Sequence, residues 1–275
     1  MNQSALINVI FRASEKAARG LVRDFGEVEN LQISRKGVAD FVSNADTDAE
    51  KVIVRELSRA RPDWGFIMEE GGVIPPSESD GPSWIIDPLD GTTNYLHGIP
   101  HFSISIAAID KPLKAGGKVI AGGIFDPIRN EFFFAEQGKG AFLNDRRMRV
   151  SGRRSMADCL FATGIPFMGR GDAEYHTSFQ RELGAVMGET SGVRRFGSAA
   201  LDLAWVAAGR YDGFWEHQLS LWDIAAGVLI VREAGGFVSD FASRDRALTS
   251  GDVVAANGVI HGDFLKLLRK GRQNS

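Results

Sequence analysis

A chain of 275 residues, 44% hydrophobic and 24% charged, can bury a sizeable core, either as one large domain or as two fused halves. Its 35 acidic residues exceed its 32 basic ones, and a net charge of -3 leaves no overall basic field for nucleic acid, although a local patch stays possible. The single cysteine, Cys159 in an apolar run, excludes an internal disulfide, and five scattered histidines form no Cys/His cluster for zinc or iron–sulfur.

Leu6, Val9, Ile10, Ala13, Ala17 and Leu21 recur at helical spacing among charged residues. That predicts an amphipathic surface helix rather than a signal peptide. No apolar run is long enough to span a membrane, so a soluble cytoplasmic protein is the default. A glycosylation sequon at Asn2 has nothing beside it to suggest secretion. Residues 31–46, polar and punctuated by Lys36-Gly37, read as a loop or mobile hairpin. Thr47 and Glu50 fit a capping box for a helix with an apolar stripe of Val52, Ile53 and Leu57, ended by Pro62. Short strands at 64–69 and 83–87 flank a loop rich in Gly, Pro and Ser. Residues 101–110 alternate as a strand, and 118–144 read as strand, turn near Asp126-Pro127, strand and turn. The Gly138-Lys139 turn lacks the spacing of a Walker A loop. This middle section is an antiparallel meander.

The second half alternates strand and helix. Strands are expected at 158–165, 211–216, 236–241 and 252–258. Helices are expected at 173–188, at 198–209 closed by Gly209, at 221–236 ending in Gly235-Gly236, and at the C-terminus. The expectation is one domain over 1–275. An α+β half, 1–150, and an α/β half, 151–275, share one interior, with the softest boundary near residue 155.

Two carboxylates, Asp87 and Asp90, stand at the lip of an apolar strand, Trp84-Ile85-Ile86. Glu69 and Glu70 end the preceding strand, Asp46 precedes a helix, and Asp223 lies near the start of a later one. Each acid alone has an ordinary structural reading as a helix-start or loop acid. Together they sit where α/β folds place ligands. Pro88, without an amide, is expected to stop the strand and let the chain turn Asp90 back beside Asp87. Gly91-Thr92-Thr93-Asn94 looks like the opening turn of a helix whose free amides face an anion. Acids beside an anion pocket need cations between them, because two like charges about 4 Å apart cost about 4 kcal/mol even at a surface-like dielectric. Oxygen-only ligands select a hard cation such as Mg²⁺, and the bridging anion is most simply a phosphate. Phosphatases that form an aspartyl-phosphate carry D-x-D-G-T, one residue shorter than the D-P-L-D-G-T here. Positions i and i+3 of a regular strand do not share a face, so the spacing favours metal-activated water.

At these residues the sequence resembles the inositol monophosphatase family, in its bacterial inositol-1-monophosphatase branch. "WIIDPLDGTTN", with "FIMEE" before it and "LWDIAAGVLIVREAGG" after it, carries the likeness, and "QGKGAFLN", "GSAALDLAWVAAGRYDGFWE" and "VVAAN" fall in family order. The resemblance implies a layered α-β-α-β-α sugar-phosphatase sandwich and a homodimer acting on a small phosphorylated polyol. It implies two Mg²⁺ ions and a weaker third near Glu69. The first would be held by Glu69, Asp87 and the Leu89 carbonyl, the second by Asp87, Asp90 and Asp223. Thr92 backed by Asp46 would orient and deprotonate the attacking water, with Glu69 counted in the catalytic set. The amides of Gly91 and Thr92 would cradle phosphate, Glu216 would bind a substrate hydroxyl, Ser198 and Ala199 would line the sugar pocket, and Li⁺ would inhibit. His217 and Arg194-Arg195 are departures that bear on the substrate, with histidinol phosphate, fructose 1,6-bisphosphate and 3′-phosphoadenosine phosphate as alternatives; the arginines read equally well as a surface or subunit contact. Arg146, Arg147, Arg149, Arg153 and Arg154 crowd together as the best candidate for an RNA- or protein-binding role, although nucleic acid is not expected as the main ligand.

Overall fold

The computed structural model describes residues 4–25, 33–36, 40–167 and 169–273, with backbone only at 33–36, 40–43 and 273. Asn2 and Gly37 lie outside the described residues. The elements are α1 (Ala5–Phe25), β1 (Ile33–Lys36), β2 (Asp40–Ser43), α2 (Asn44–Ala60), β3 (Gly65–Met68), β4 (Gly72–Ile74), β5 (Ser83–Asp90), α3 (Thr92–Leu96), β6 (Ser103–Ile109), β7 (Val119–Asp126), β8 (Glu131–Glu136), β9 (Gly140–Leu143) and β10 (Arg146–Arg147). They continue with β11 (Leu160–Thr163), α4 (Ala173–Glu189), β12 (Gly192–Arg194), α5 (Ala199–Ala207), β13 (Gly213–Glu216), α6 (Leu221–Glu233), β14 (Gly236–Ser239), α7 (Ala247–Ser250), β15 (Val253–Asn257) and α8 (His261–Gln273).

An eight-stranded sheet runs β10-β9-β8-β7-β6-β5-β3-β4, and a five-stranded sheet runs β12-β11-β13-β15-β14. Alternation along the strands sorts side chains into layers. In β5, Trp84 and Ile86 join a core with α1 and α2, while Ile85 joins a core with α5 and α6. In β13, Phe214 faces that second core, and Trp215 joins a third with α4 and α8. The order is therefore helix pair, sheet, helix pair, sheet, helix pair. Both faces of β5 and β6 are covered, which is why their sequences read as continuous apolar runs. The expected sandwich and the meander from β6 to β9 are both present.

Local expectations fare unevenly. Residues 33–36 and 40–43 pair as an antiparallel hairpin. Helix α2 starts at Asn44, so Thr47 lies inside the helix and is not its cap, and Asp46 belongs to the first turn rather than to a loop. The Gly/Pro/Ser-rich loop holds β4, paired with β3. Pro88 does not end β5, which continues to Asp90. Cys159 is buried, and its thiol is pushed up to about 11, chiefly by burial, as befits an inert side chain. Among the described residues no helix is long and apolar enough to cross a membrane.

Candidate active site

A one-residue irregularity in β5 builds the centre of the site. Asp87 is aligned with Ser105 of β6, and Asp90 with Ser103, so three steps on one strand match two on the other. The extra residue is a β-bulge. It coincides with Pro88, which has no amide for the ladder. Because Ser103 and Ser105 share a face, so do their partners. Leu89 falls into the core with Ile86, on the α1 and α2 side. Asp87 and Asp90 are thereby turned toward α5 and α6. In a regular strand the two acids would face opposite ways; here the bulge makes Asp87 and Asp90 a same-face pair, so their spacing does not by itself favour metal-activated water.

Several helix starts converge on these acids. The Ser198 hydroxyl and the Ala199 and Ala200 amides, at the start of α5, donate to Asp90. Asp223, in the first turn of α6, accepts from the Ser220 amide at 2.7 Å. Gly91, at φ 99°, turns the chain from β5 into α3. Thr92 then directs its hydroxyl at Asp46 Oδ2 (3.3 Å) and the Leu89 carbonyl (2.9 Å). Glu69, Asp90, Gly91, Thr92, Ala199, Glu216 and Asp223 line one cavity of about 390 Å³. Asp87 is 2% exposed, and Ser198 is buried with its hydroxyl on Asp90, so both stand behind the wall of the cavity.

Electrostatics bind the acids into one group. Burial, then the charges of Asp223, Glu70 and Asp90, pushes Glu69 up to about 8, against a hydrogen bond with Asp87. Asp87 is raised by burial and by Glu69, Asp90, Asp223 and Asp46. Asp223 reaches about 7 through burial and Asp90. Asp90 is held to about 6, because its hydrogen bonds oppose the cost of burial. Asp87 is raised by the other three, Glu69 by Asp223 and Asp90, and Asp223 by Asp90, and acids so placed need protons or cations to coexist as a group. Among the described residues no group of three or more His, Cys, Asp or Glu side chains is placed so that it could hold a metal ion as it stands. The donor set itself is oxygen only, buried and acidic, which suits a hard divalent cation.

The far side of the cavity differs. Burial lifts Glu216 to about 7 against the pull of Arg170, whose Nη1 lies 3.6 Å from Glu216 Oε1. A Cβ at Gly164 would lie 2.1 Å from the Glu216 carboxylate, so only glycine leaves that acid its place. Gly164, Arg170 and Trp222 line the cavity and were not anticipated from sequence. The stretch from Gly164 to Asp172 follows a strand and precedes a helix, and a loop off a strand's C-terminal end was the available signal. Arg195 lines the cavity too, whereas Arg194 is not among its lining residues. His217 is not a pocket residue. Its ring packs 3.8 Å from that of Phe241, and its nitrogens face Glu182 (3.1 Å) and Asp252 (3.3 Å), with Arg272 alongside. Strand alternation explains this, since Glu216 and His217 are consecutive. His101 is buried against Phe196 and Trp205, and burial lowers it to about 4.

The family model for the inositol monophosphatase family matches residues 2–273. Inositol-1-monophosphatase of Mesorhizobium japonicum is 55% identical over 270 residues, 98% of each chain. The Nus factor SuhB of Pseudomonas aeruginosa is 44% identical over 253 residues, 92% of this chain and 91% of its own. The crystal structure of extragenic suppressor protein SuhB from Bartonella henselae superposes with a TM-score of 0.91 at 53% identity, covering 98% of this chain and all of that one. With fold, acid cluster and these relatives in agreement, the chain belongs to the inositol monophosphatase family.

Proposed function

We propose that this protein is a Mg²⁺-dependent phosphomonoesterase that hydrolyses inositol 1-phosphate to inositol and phosphate by direct attack of water. The observation that carries the reading is the group of buried, mutually repelling carboxylates facing a helix start across one cavity. Glu69, Asp87 and the Leu89 carbonyl would hold one Mg²⁺, and Asp87, Asp90 and Asp223 a second, with room for a weaker third near Glu69. Bound there, Mg²⁺ would acidify a water and neutralise charge on the phosphate and the leaving oxygen.

The chain's own groups do the rest. Thr92 Oγ keeps lone-pair capacity for the attacking water, and its one proton, within reach of the Leu89 carbonyl at 2.9 Å and of Asp46 Oδ2 at 3.3 Å, would turn to Asp46 once that carbonyl held a metal. As the water attacks phosphorus, its proton passes to Thr92 Oγ and the Thr92 proton to Asp46, while the bond from phosphorus to the inositol oxygen breaks and that oxygen leaves with a proton from solvent. The amides that open α3, at Gly91 and Thr92, receive phosphate oxygens. Glu216 accepts from a substrate hydroxyl beside Ala199, and Ser198 keeps Asp90 in place. The same reading includes a cytoplasmic homodimer. Phe196, 40% exposed and packed on His101 and Trp205, is an exposed apolar side chain available to a second copy. The test is phosphate release with and without Mg²⁺ and Li⁺, comparing kcat/KM for inositol 1-phosphate, histidinol phosphate, fructose 1,6-bisphosphate and 3′-phosphoadenosine phosphate. Mg²⁺-dependent, Li⁺-inhibited release with inositol 1-phosphate preferred supports the reading, and no metal-dependent release from any of the four removes it.

A second role is favoured by the Nus factor name of the Pseudomonas relative and by five exposed arginines between Arg146 and Arg154. These would contact RNA or a protein partner. RNA binding that weakens steeply with salt supports it. Arg153 already pairs with Asp212 at 3.3 Å, which leaves it a structural task as well.

A further inference from the structure

We propose that Arg170 is a specificity-determining residue of this site, forming with Glu216 a donor–acceptor pair that grips a vicinal diol on the leaving group. The inference rests on the phosphomonoesterase reading and deepens it. Arg170 lies in the segment between β11 and α4 and lines the cavity together with Glu216 and Asp223. Its side chain is 33% exposed, so it is anchored yet reachable by a ligand. The 3.6 Å gap to Glu216 is an ion pair but too long for a hydrogen bond. Both groups therefore keep capacity for a third party.

That capacity is complementary. A carboxylate only accepts, and a guanidinium only donates. Glu216 alone would accept a hydrogen bond from any single hydroxyl and could not tell a diol from an isolated alcohol. With Arg170 beside it, one hydroxyl donates to Glu216 while its neighbour accepts from Arg170. Two contacts hold the arginine in place: Phe167 lies under the guanidinium at 5.3 Å, and the Arg170 carbonyl is 2.7 Å from His176 Nε2. Gly164 leaves the acid its place. Arg195, the other arginine on this cavity, lies against Gly197 instead.

The experiment compares kcat/KM for inositol 1-phosphate and for p-nitrophenyl phosphate, which has no diol, at saturating Mg²⁺. The full-length protein is used, with R170Q and R170K. The ratio of inositol 1-phosphate to p-nitrophenyl phosphate should fall about tenfold or more in R170Q, mainly through KM, because a polar partner is left unpaired. R170K, which keeps the donor but loses the fork, should recover part of it. A ratio unchanged in R170Q overturns the proposal, whether both rates fall or neither does. If the wild-type protein releases phosphate from neither ester, this proposal falls, and the phosphomonoesterase reading falls with it when histidinol phosphate, fructose 1,6-bisphosphate and 3′-phosphoadenosine phosphate release none either. If it hydrolyses both and the ratio holds, only the role of Arg170 is lost.

Discussion

Asp87 and Asp90 are three residues apart on β5 yet face the same side of the sheet, aligned with Ser105 and Ser103 of β6. The bulge at Pro88 does this, and it delivers Asp90 to the opening amides of α5. A buried carboxylate so placed acts on whatever the cluster binds. D90N should lower kcat by about 10² or more, a loss typical of removing one preorganised electrostatic group. Circular dichroism should show an intact fold. Near-normal turnover in D90N would take Asp90 out of the reaction.

Without cations, the acid cluster makes stability fall with pH. Glu69 is raised from 4.5 to about 8, so the stability tied to its protonated form is complete below 4.5 and lost as pH rises through 8. Asp223, at about 7, follows the same sign at lower pH. Metal-free protein should melt several degrees lower at pH 9 than at pH 5, at about 2–4 °C for each kcal/mol in a chain of this size. E69Q should flatten the decline. Scanning calorimetry in EDTA reads both, and a wild-type melting temperature that rises over this range contradicts the account.

Thr92 and Asp46 should behave as one unit. The hydroxyl lies 3.3 Å from Asp46 Oδ2, beside the Leu89 carbonyl, and the acid is buried behind it. T92A and D46N should each lower kcat by about 10² to 10⁴, the range for a positioned proton acceptor. The double variant should be little worse than either, because groups acting in series are not additive. Multiplicative losses would show two independent roles.

Away from the cavity, Glu182 is fully buried and takes hydrogen bonds from Arg272 and His217. Burial pulls the His217 pKa down, but its bonds to Asp252 and Glu182 outweigh that and raise it above 6.5. The stability it contributes is therefore complete below 6.5 and lost as pH rises through the higher folded value. The melting-temperature gap between wild type and H217Q should be wider at pH 6 than at pH 9. E182A should cost about 3–5 kcal/mol by stranding two cationic partners. A gap that does not change with pH would show that His217 is neutral throughout.

Much of this was legible in the sequence because its signals are local. Helical spacing marks α1, and Gly209 and Gly235, both at positive φ, mark the ends of α5 and α6. The paired acids after an apolar strand, and the glycine and threonines behind them, mark the site. What stayed hidden depends on pairing across strands. The bulge at Pro88 is a relation between β5 and β6, and nothing in β5 alone reveals whether the strand stops or slips. Likewise the start of α2 at Asn44 overrode the Thr47-Glu50 pattern, because the preceding hairpin delivers the chain to the helix earlier. Arg170 was invisible for a similar reason: its partner Glu216 is distant in sequence and meets it only across the two β11 and β13 ends.

The most direct measurement is calorimetric titration of Mg²⁺ into metal-free protein at pH 8, for wild type and D90N, without substrate. Saturable binding in the wild type, with at least one site weakened about tenfold or more in D90N, is the expected result for a cluster in which each acid is a ligand. Wild-type protein that takes up no Mg²⁺, or a D90N isotherm matching the wild type, would contradict the account at its root.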